Sequence, residues 1–212
     1  MRVLDERGTP VTTRTRTLTP SPATPDAILA ALAADREAHV PYDRIAAGFP
    51  GVVVDGVTLS APNLDPSWAD FPLAQSLAQT LGAPARVAND ADVQGFGAIE
   101  GRGVELVVTL GTGVGGALFV DGRLVPNLEL GHAPFEKGKS FEQVLGKAAL
   151  EKRGKKAWRA ALDRALHVWL ALFNPRRLYL GGGNAKKVAE VPERVVLVDN
   201  EAGLLGGIAL WS

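Results

Sequence analysis

Leu110-Gly111-Thr112-Gly113-Val114-Gly115-Gly116 decides how this chain is read. The spacing Gly111-x-Gly113-x-x-Gly116 matches the dinucleotide fingerprint in its letters. That fingerprint needs a helix directly after the glycines, with its N-terminus facing a pyrophosphate. Here Ala117-Leu118-Phe119-Val120 and Asp121-Gly122 follow, an apolar run and then a tight turn. The segment therefore reads as strands over 105–110, 114–120 and 123–125, and the dinucleotide reading is rejected. A glycine turn between antiparallel strands can still hold phosphate. Its N–H groups face a concavity that no Cβ obstructs, and Thr112 adds a hydroxyl donor. A plain hairpin turn is the alternative, and for that the later glycines are superfluous.

Upstream, Arg86-Val87-Ala88 reads as a strand, and Asp90 opens a helix reaching about Ile99. An acid at that junction fits two roles. As an N-cap it satisfies orphan helix N–H groups. As a general base it accepts the proton of an attacking hydroxyl, and the helix dipole favours its charged form. Asn89 beside it both donates and accepts, as recognition of sugar hydroxyls requires. Downstream, Glu129 and His132 stand three apart, so one turn puts them on one wall. Two such groups are too few for zinc and suit vicinal hydroxyls better. His39 lacks such company, and His167 falls off its helix's apolar stripe and is expected in solvent.

Farther out, Val3-Leu4 and Val11 to Leu18 read as strands around the turn Asp5 to Gly8. Asp26 to about Glu37 is helical, and Arg44 to Ala47 is a short buried strand. Val52–Val54 and Val57–Leu59 form a hairpin over Asp55-Gly56. Ala61 to Phe71 is loop, Leu73–Leu81 is a helix stopped by Gly82, and Gly101-Arg102-Gly103 is a hinge. Helical stripes run through Phe141, Val144, Leu145 and Ala148, and through Trp158 to Phe173 until Pro175. Leu178–Leu180 and Val195–Val198 are strands, and Gly203 to Leu210 is a closing helix.

The chain has 212 residues, 46% hydrophobic and 22% charged, which suits a globular protein with a real core. It has no cysteine, which removes disulfides, a thiolate nucleophile and Cys-ligated zinc. No run reaches the length of a membrane span, so a cytoplasmic protein is the default. The net charge is zero but unevenly spread. Residues 137–164 hold nine Lys/Arg against three acids, +6, which leaves fourteen against twenty, −6, elsewhere. Either an anionic partner docks there or the segment is a solvated face.

Several motifs together resemble one family. Gly48-Phe49-Pro50-Gly51, Pro62-Asn63-Leu64-Asp65-x-Ser67-Trp68, Asn89-Asp90-Ala91-Asp92, the glycine turn, Glu129-Leu130-Gly131-His132 and Gly181-Gly182-Gly183-Asn184-Ala185-Lys186 are similar to the ROK sugar kinases. Lys137-Gly138-Lys139, Leu145-Gly146-x-x-Ala149-Leu150-Glu151-Lys152 and Gly154-Lys155-Lys156-x-Trp158 resemble the polyphosphate glucokinase branch. The resemblance implies an α/β, actin/hexokinase-like (ribonuclease H-like) fold of two domains closing over a cleft. We expect a small domain over 1–102, a second over 103–198, and a closing helix over 199–212 that returns to the interdomain region. By the same resemblance Asp90 is the base, and Asn63, Asn89, Asp90, Glu129, His132 and Glu142 line a glucose site. Gly111, Thr112 and Gly113 hold phosphate, and Gly181, Gly182 and Gly183 sit where nucleotide-using members hold adenosine. Lys152, Lys155, Lys156 and Arg159 form a track for polyphosphate.

The implied activity is phosphoryl transfer from polyphosphate, or from ATP, to the 6-hydroxyl of glucose. An ATP-dependent hexokinase of the same family is the runner-up, and a sugar-binding protein without catalysis is the alternative from another class. Mg²⁺ comes with the donor, no zinc is expected, and the implied assembly is a homodimer without nucleic-acid or membrane partners. The family opens with a strand carrying Asp-x-Gly-Gly-Thr, whereas Met1-Arg2-Val3-Leu4-Asp5-Glu6-x-Gly8 looks like the family's second strand and turn. Turnover by the chain as it stands is therefore expected to be weak.

Overall fold

Asp55 and Gly56 both adopt positive φ, 51° and 78°, the backbone of a two-residue turn that matches strand twist. They join two strands of the first of two compact units. The computed structural model describes residues 1–36, 40–61, 64–188, 190–199 and 202–211. The units comprise residues 1–93 with 207–212, and residues 94–206.

In the first unit, helix α1 (Pro25–Arg36) precedes β1 (Ile45–Phe49), β2 (Val52–Val54), β3 (Val57–Ser60), helix α2 (Leu73–Leu81) and β4 (Ala85–Asn89). Helix α3 (Asp90–Phe96) then begins, directly after β4. β1 and β4 are parallel, in register from Ile45 opposite Ala85 to Phe49 opposite Asn89. Leu73, Leu77 and Leu81, one helical face at four-residue spacing, pack with Leu29, Phe49 and Trp68 into one core. Trp68 donates its indole N–H to the Ala23 carbonyl at 2.7 Å. Residues 207–211 belong to this unit too: the Trp211 ring lies under the guanidiniums of Arg44 and Arg86, at 5.6 and 4.5 Å.

Two expectations fail here. Residues 1–18 form no strands; Leu4 and Pro10 make one isolated bridge. Pro10 has no N–H to give, and the Thr12 hydroxyl takes the Val3 N–H at 2.9 Å, so no ladder propagates. Helix α3 ends at Phe96, short of Ile99, where Gly95 and Gly97 weaken its last turn.

The second unit holds β5 (Val104–Leu110), β6 (Val114–Val120), β7 (Arg123–Val125), β8 (Pro134–Glu136) and β9 (Lys139–Ser140). Helices α4 (Phe141–Leu145), α5 (Lys147–Arg153) and α6 (Lys155–Phe173) follow, then β10 (Arg177–Gly181), β11 (Val195–Leu197) and the start of helix α7 (Ala202–Ala209), whose residues from 207 on belong to the first unit. Its five-stranded sheet runs β11-β10-β5-β6-β7, parallel from β11 to β5 and antiparallel beyond. Alternation splits the sheet's side chains. Leu106, Val108, Leu110, Leu178 and Leu180 meet Trp158, Leu162, Leu166 and Trp169 of α6. Val107, Ala117, Phe119 and Tyr179 pack on the other face with Phe96. The stripe from Phe141 to Ala148 is two short helices, broken at Gly146. At Gly101 to Gly103 the buried Glu105 carboxylate accepts the N–H groups of Glu100, Gly101 and Arg102 at 2.7–2.9 Å. Among the described residues no helix is long and apolar enough to cross a membrane.

Candidate active site

In the first unit the strand-to-helix junction carries a side-chain cap. Asn89, the last residue of β4, accepts the Ala91 N–H on its side-chain oxygen at 2.8 Å and donates its amide to the Gly51 carbonyl at 3.0 Å. Asn89 is therefore the cap, and Asp90 is the first helical residue, exposed at the carboxyl end of a parallel strand. Such strand ends are where open α/β sheets present their chemistry. Asn63 and His39 lie outside the described residues.

In the second unit the glycine turn is held from behind. The Lys147 N–H donates to the carbonyls of Gly111 and Thr112, both at 3.1 Å, and the Asn184 side-chain amide donates to Gly111 at 2.9 Å. The turn's carbonyls are thus consumed by the protein. The N–H groups of Thr112 and Gly113 donate to nothing among the described residues, and Thr112 is exposed. Two adjacent free N–H groups with a hydroxyl between them suit an anion. The turn connects β5 to β6, as the sequence indicates.

Glu142 stands against this turn. Its Oε2 faces the Val114 N–H at 3.4 Å, and a Cβ added to Gly113 would overlap that same oxygen. Gly181–Gly183 closes the other flank. Gly182 has φ +88°, and a side chain there would collide with the Leu110 backbone, so the loop and the turn lie in contact. The Asn184 N–H anchors the same junction on the Leu110 carbonyl at 2.9 Å. The structure thus gathers Gly111–Gly113, Glu142 and Gly181–Gly183, which lie far apart in the sequence.

Glu129 and His132 bracket a single 3-10 turn, Leu130–His132, and their side chains meet at 3.4 Å while both stay solvent-accessible. Leu130 is buried, and Gly131 packs on the Val114 carbonyl. The basic track is divided. Lys152, Lys155 and Lys156 are exposed, whereas the Arg159 guanidinium donates through both Nε and Nη2 to the Lys187 carbonyl. His167 is exposed, as expected, with Nδ1 2.7 Å from the Asp163 carbonyl oxygen. Sequence reasoning passes over Asn184 and Lys147 as supports of the turn. Asn184 is legible as the polar residue ending a triple glycine after a strand; a backbone N–H leaves no such mark.

With this geometry in hand, the chain can be set beside known proteins. The sequence pattern of the ROK family matches residues 1–154. A polyphosphate glucokinase of Mycobacterium leprae is 31% identical over 91% of this chain, and one of Mycobacterium tuberculosis is 30% identical over the same share. The chain spans 64% of the length of the first and 79% of the second. Among solved structures, the inorganic polyphosphate/ATP-glucomannokinase of Arthrobacter sp. strain KM superposes with a TM-score of 0.86 at 33% identity, covering 99% of this chain and 93% of that one. A ROK family glucokinase of Streptomyces griseus, solved with glucose and AMPPNP, shares the fold at a TM-score of 0.78 and 22% identity. The α/β fold is thus that of the actin/hexokinase-like sugar kinases, and the chain belongs to the ROK family.

Proposed function

We propose that this chain serves phosphoryl transfer to glucose, with inorganic polyphosphate or ATP as donor. The observation that carries the reading is the glycine turn with its carbonyls tied inward and the Thr112 and Gly113 N–H groups left over. Phosphoryl transfer relies on positioned donors that stabilise developing charge on phosphate oxygens. Asp90 takes the proton of the sugar 6-hydroxyl as the O–P bond forms. The assignment of the cap to Asn89 supports that role. Glu129, His132, Asn63, Asn89 and Glu142 hydrogen-bond sugar hydroxyls, and Gly181–Gly183 flank the donor. Lys152, Lys155 and Lys156 attract the polyanion; Arg159 contributes less, being spent on Lys187.

Both donors are kept because a similar protein, the Arthrobacter kinase, is described as using both polyphosphate and ATP. Magnesium belongs to the reading as part of the donor. Among the described residues no three His, Asp or Glu side chains cluster as a cation cage, so the ion is expected to arrive on the phosphates. A homodimer belongs to it too, supported by Val168 and Leu172, exposed and four apart on α6. Sedimentation of the purified chain tests that point. The activity is tested by following glucose 6-phosphate formation with polyphosphate and with ATP. Product with either donor agrees with the reading. Glucose binding without product from either donor would leave a sugar-binding protein instead.

A further inference from the structure

The cations of the +6 segment do not share one face. At 100° per residue Lys155 and Arg159 fall on one side of α6, and Ala157 and Arg164 on the other. On that second side, Ala157 and Arg164 line a recess of about 600 Å³ together with Arg153, Glu136 and Lys137. None of these residues belongs to the glycine turn or is one of the track residues Lys152, Lys155, Lys156 and Arg159, although Arg153 follows Lys152 in the chain.

Three separate elements fix the walls. Lys137 and Gly138 form the β8–β9 turn with φ of 50° and 72°, a two-residue turn that sets the direction of the Lys137 side chain. Arg153 ends α5, where the Gly154 N–H closes the helix on the Leu150 carbonyl. Arg164 forks onto Glu136, with Nε 2.5 Å from Oε1 and Nη2 3.1 Å from Oε2. The Arg164 hydrogen bond, and the charges of Arg164, Arg153 and Lys137 beyond it, hold the Glu136 carboxyl below its ordinary range. Three cations thus act on one carboxylate, and the recess is net +2. Lys137 and Arg153 have no hydrogen-bond or ion-pair partner among the described residues. A monovalent anion meets the Glu136 charge as well as the cations. A multivalent oxyanion can engage Lys137 and Arg153 at once and leave the Arg164–Glu136 fork intact.

We propose that this recess is a separate binding site for a linear run of condensed phosphates, held by Lys137 and Arg153 against the wall built by Arg164 and Glu136. It rests on the donor reading only for the choice of ligand. The same oxyanions occur in a free polymer and in the tail of a nucleoside triphosphate, so both are probed. Calorimetric titration of the full chain with tripolyphosphate and with ATP, without glucose, is compared with Lys137→Asn/Arg153→Gln. Asn tolerates the positive φ at 137, and Gln keeps the stem of residue 153. Tripolyphosphate affinity should fall roughly tenfold and lose much of its salt dependence. Glucose affinity and melting temperature should hold. A matching loss for ATP assigns the site to triphosphates from either source, and no loss for ATP assigns it to the free polymer. Unchanged affinity for both ligands overturns the site.

Should the double variant melt early, lysine and arginine modification mapped on the wild-type protein decides. Tripolyphosphate should protect Lys137 and Arg153 and leave Lys139 reactive; equal reactivity with and without it refutes the proposal. If neither polyphosphate nor ATP proves a donor while the double variant loses tripolyphosphate, the proposed function fails and the site stands. If polyphosphate supports turnover while the variant binds tripolyphosphate as the wild type does, the function stands and the site fails.

Discussion

Gly131 has no room for a side chain, because a Cβ there would overlap the Val114 carbonyl oxygen on β6. It holds the 3-10 turn carrying Glu129 and His132 against the sheet. Gly131→Ala should cost about 1–3 kcal/mol of stability, since backbone rather than a flexible side chain must yield. It should also weaken glucose binding, because both side chains move with the turn. Melting and glucose titration of the variant check both; an unchanged melting temperature would mean the turn adjusts freely. The motif Glu129-Leu130-Gly131-His132 stands out in the sequence as a candidate, but the reason for its glycine does not, since the Val114 carbonyl is distant in sequence. Asn89 and Asp90 show the same limit. Either residue type can cap a helix, and only the observed bond from the Ala91 N–H shows that Asn89 does so.

The loop from Glu100 to Arg102 is tied to the sheet by Glu105, which is fully buried in β5. Besides three N–H groups, its carboxylate accepts the Tyr179 hydroxyl at 2.8 Å. Glu105→Gln replaces one acceptor oxygen by a donor facing donors, and should destabilise by on the order of 3 kcal/mol. Burial, and then the Glu105 carboxylate, push the Tyr179 hydroxyl well above its ordinary range. The folded state therefore holds the Tyr179 proton more tightly than the unfolded chain does. Its contribution is complete below about pH 10 and declines as the pH rises beyond that. Denaturation series at alkaline pH should show that decline in the wild type and a smaller one in Tyr179→Phe. Equal slopes would remove Tyr179 from the account.

Elements set by local chemistry were readable. The Asp55-Gly56 and Asp121-Gly122 turns carry their φ preference in their own residues, and α2 stops where Gly82 adopts φ 75°. Residues 11–18 misled because the Thr/Arg alternation suits a strand, yet a strand needs a partner with N–H groups to give. Glu105, charged and inside a strand pattern, gave no sign that its partners were three backbone amides.

Charge is the property that spans the second unit, since the +6 of residues 137–164 is offset across the rest of the chain. Lys155→Ala/Lys156→Ala should weaken polyphosphate several-fold with little effect on glucose, and the difference should shrink in high salt. Affinities of both ligands at two ionic strengths check this; equal losses would make the two lysines a solvated face. The fold was legible as a whole because several motifs recur in one order, and the gathering of the glycine turn with Gly181–Gly183 follows from β5 and β10 being neighbours. The split of the basic track was not legible, because spacing along a helix does not tell that Arg159 caps Lys187.

Asp90 as acceptor of the sugar's proton stands at the centre of the proposed mechanism. Its most direct test is Asp90→Asn, with glucose binding measured by titration and turnover measured as glucose 6-phosphate formed per second. The amide keeps an acceptor oxygen for the hydroxyl but has no basicity. Glucose affinity should stay within a few-fold of wild type while kcat falls by about 10²–10⁴-fold. Turnover retained at the wild-type rate, with glucose still bound, would contradict the account.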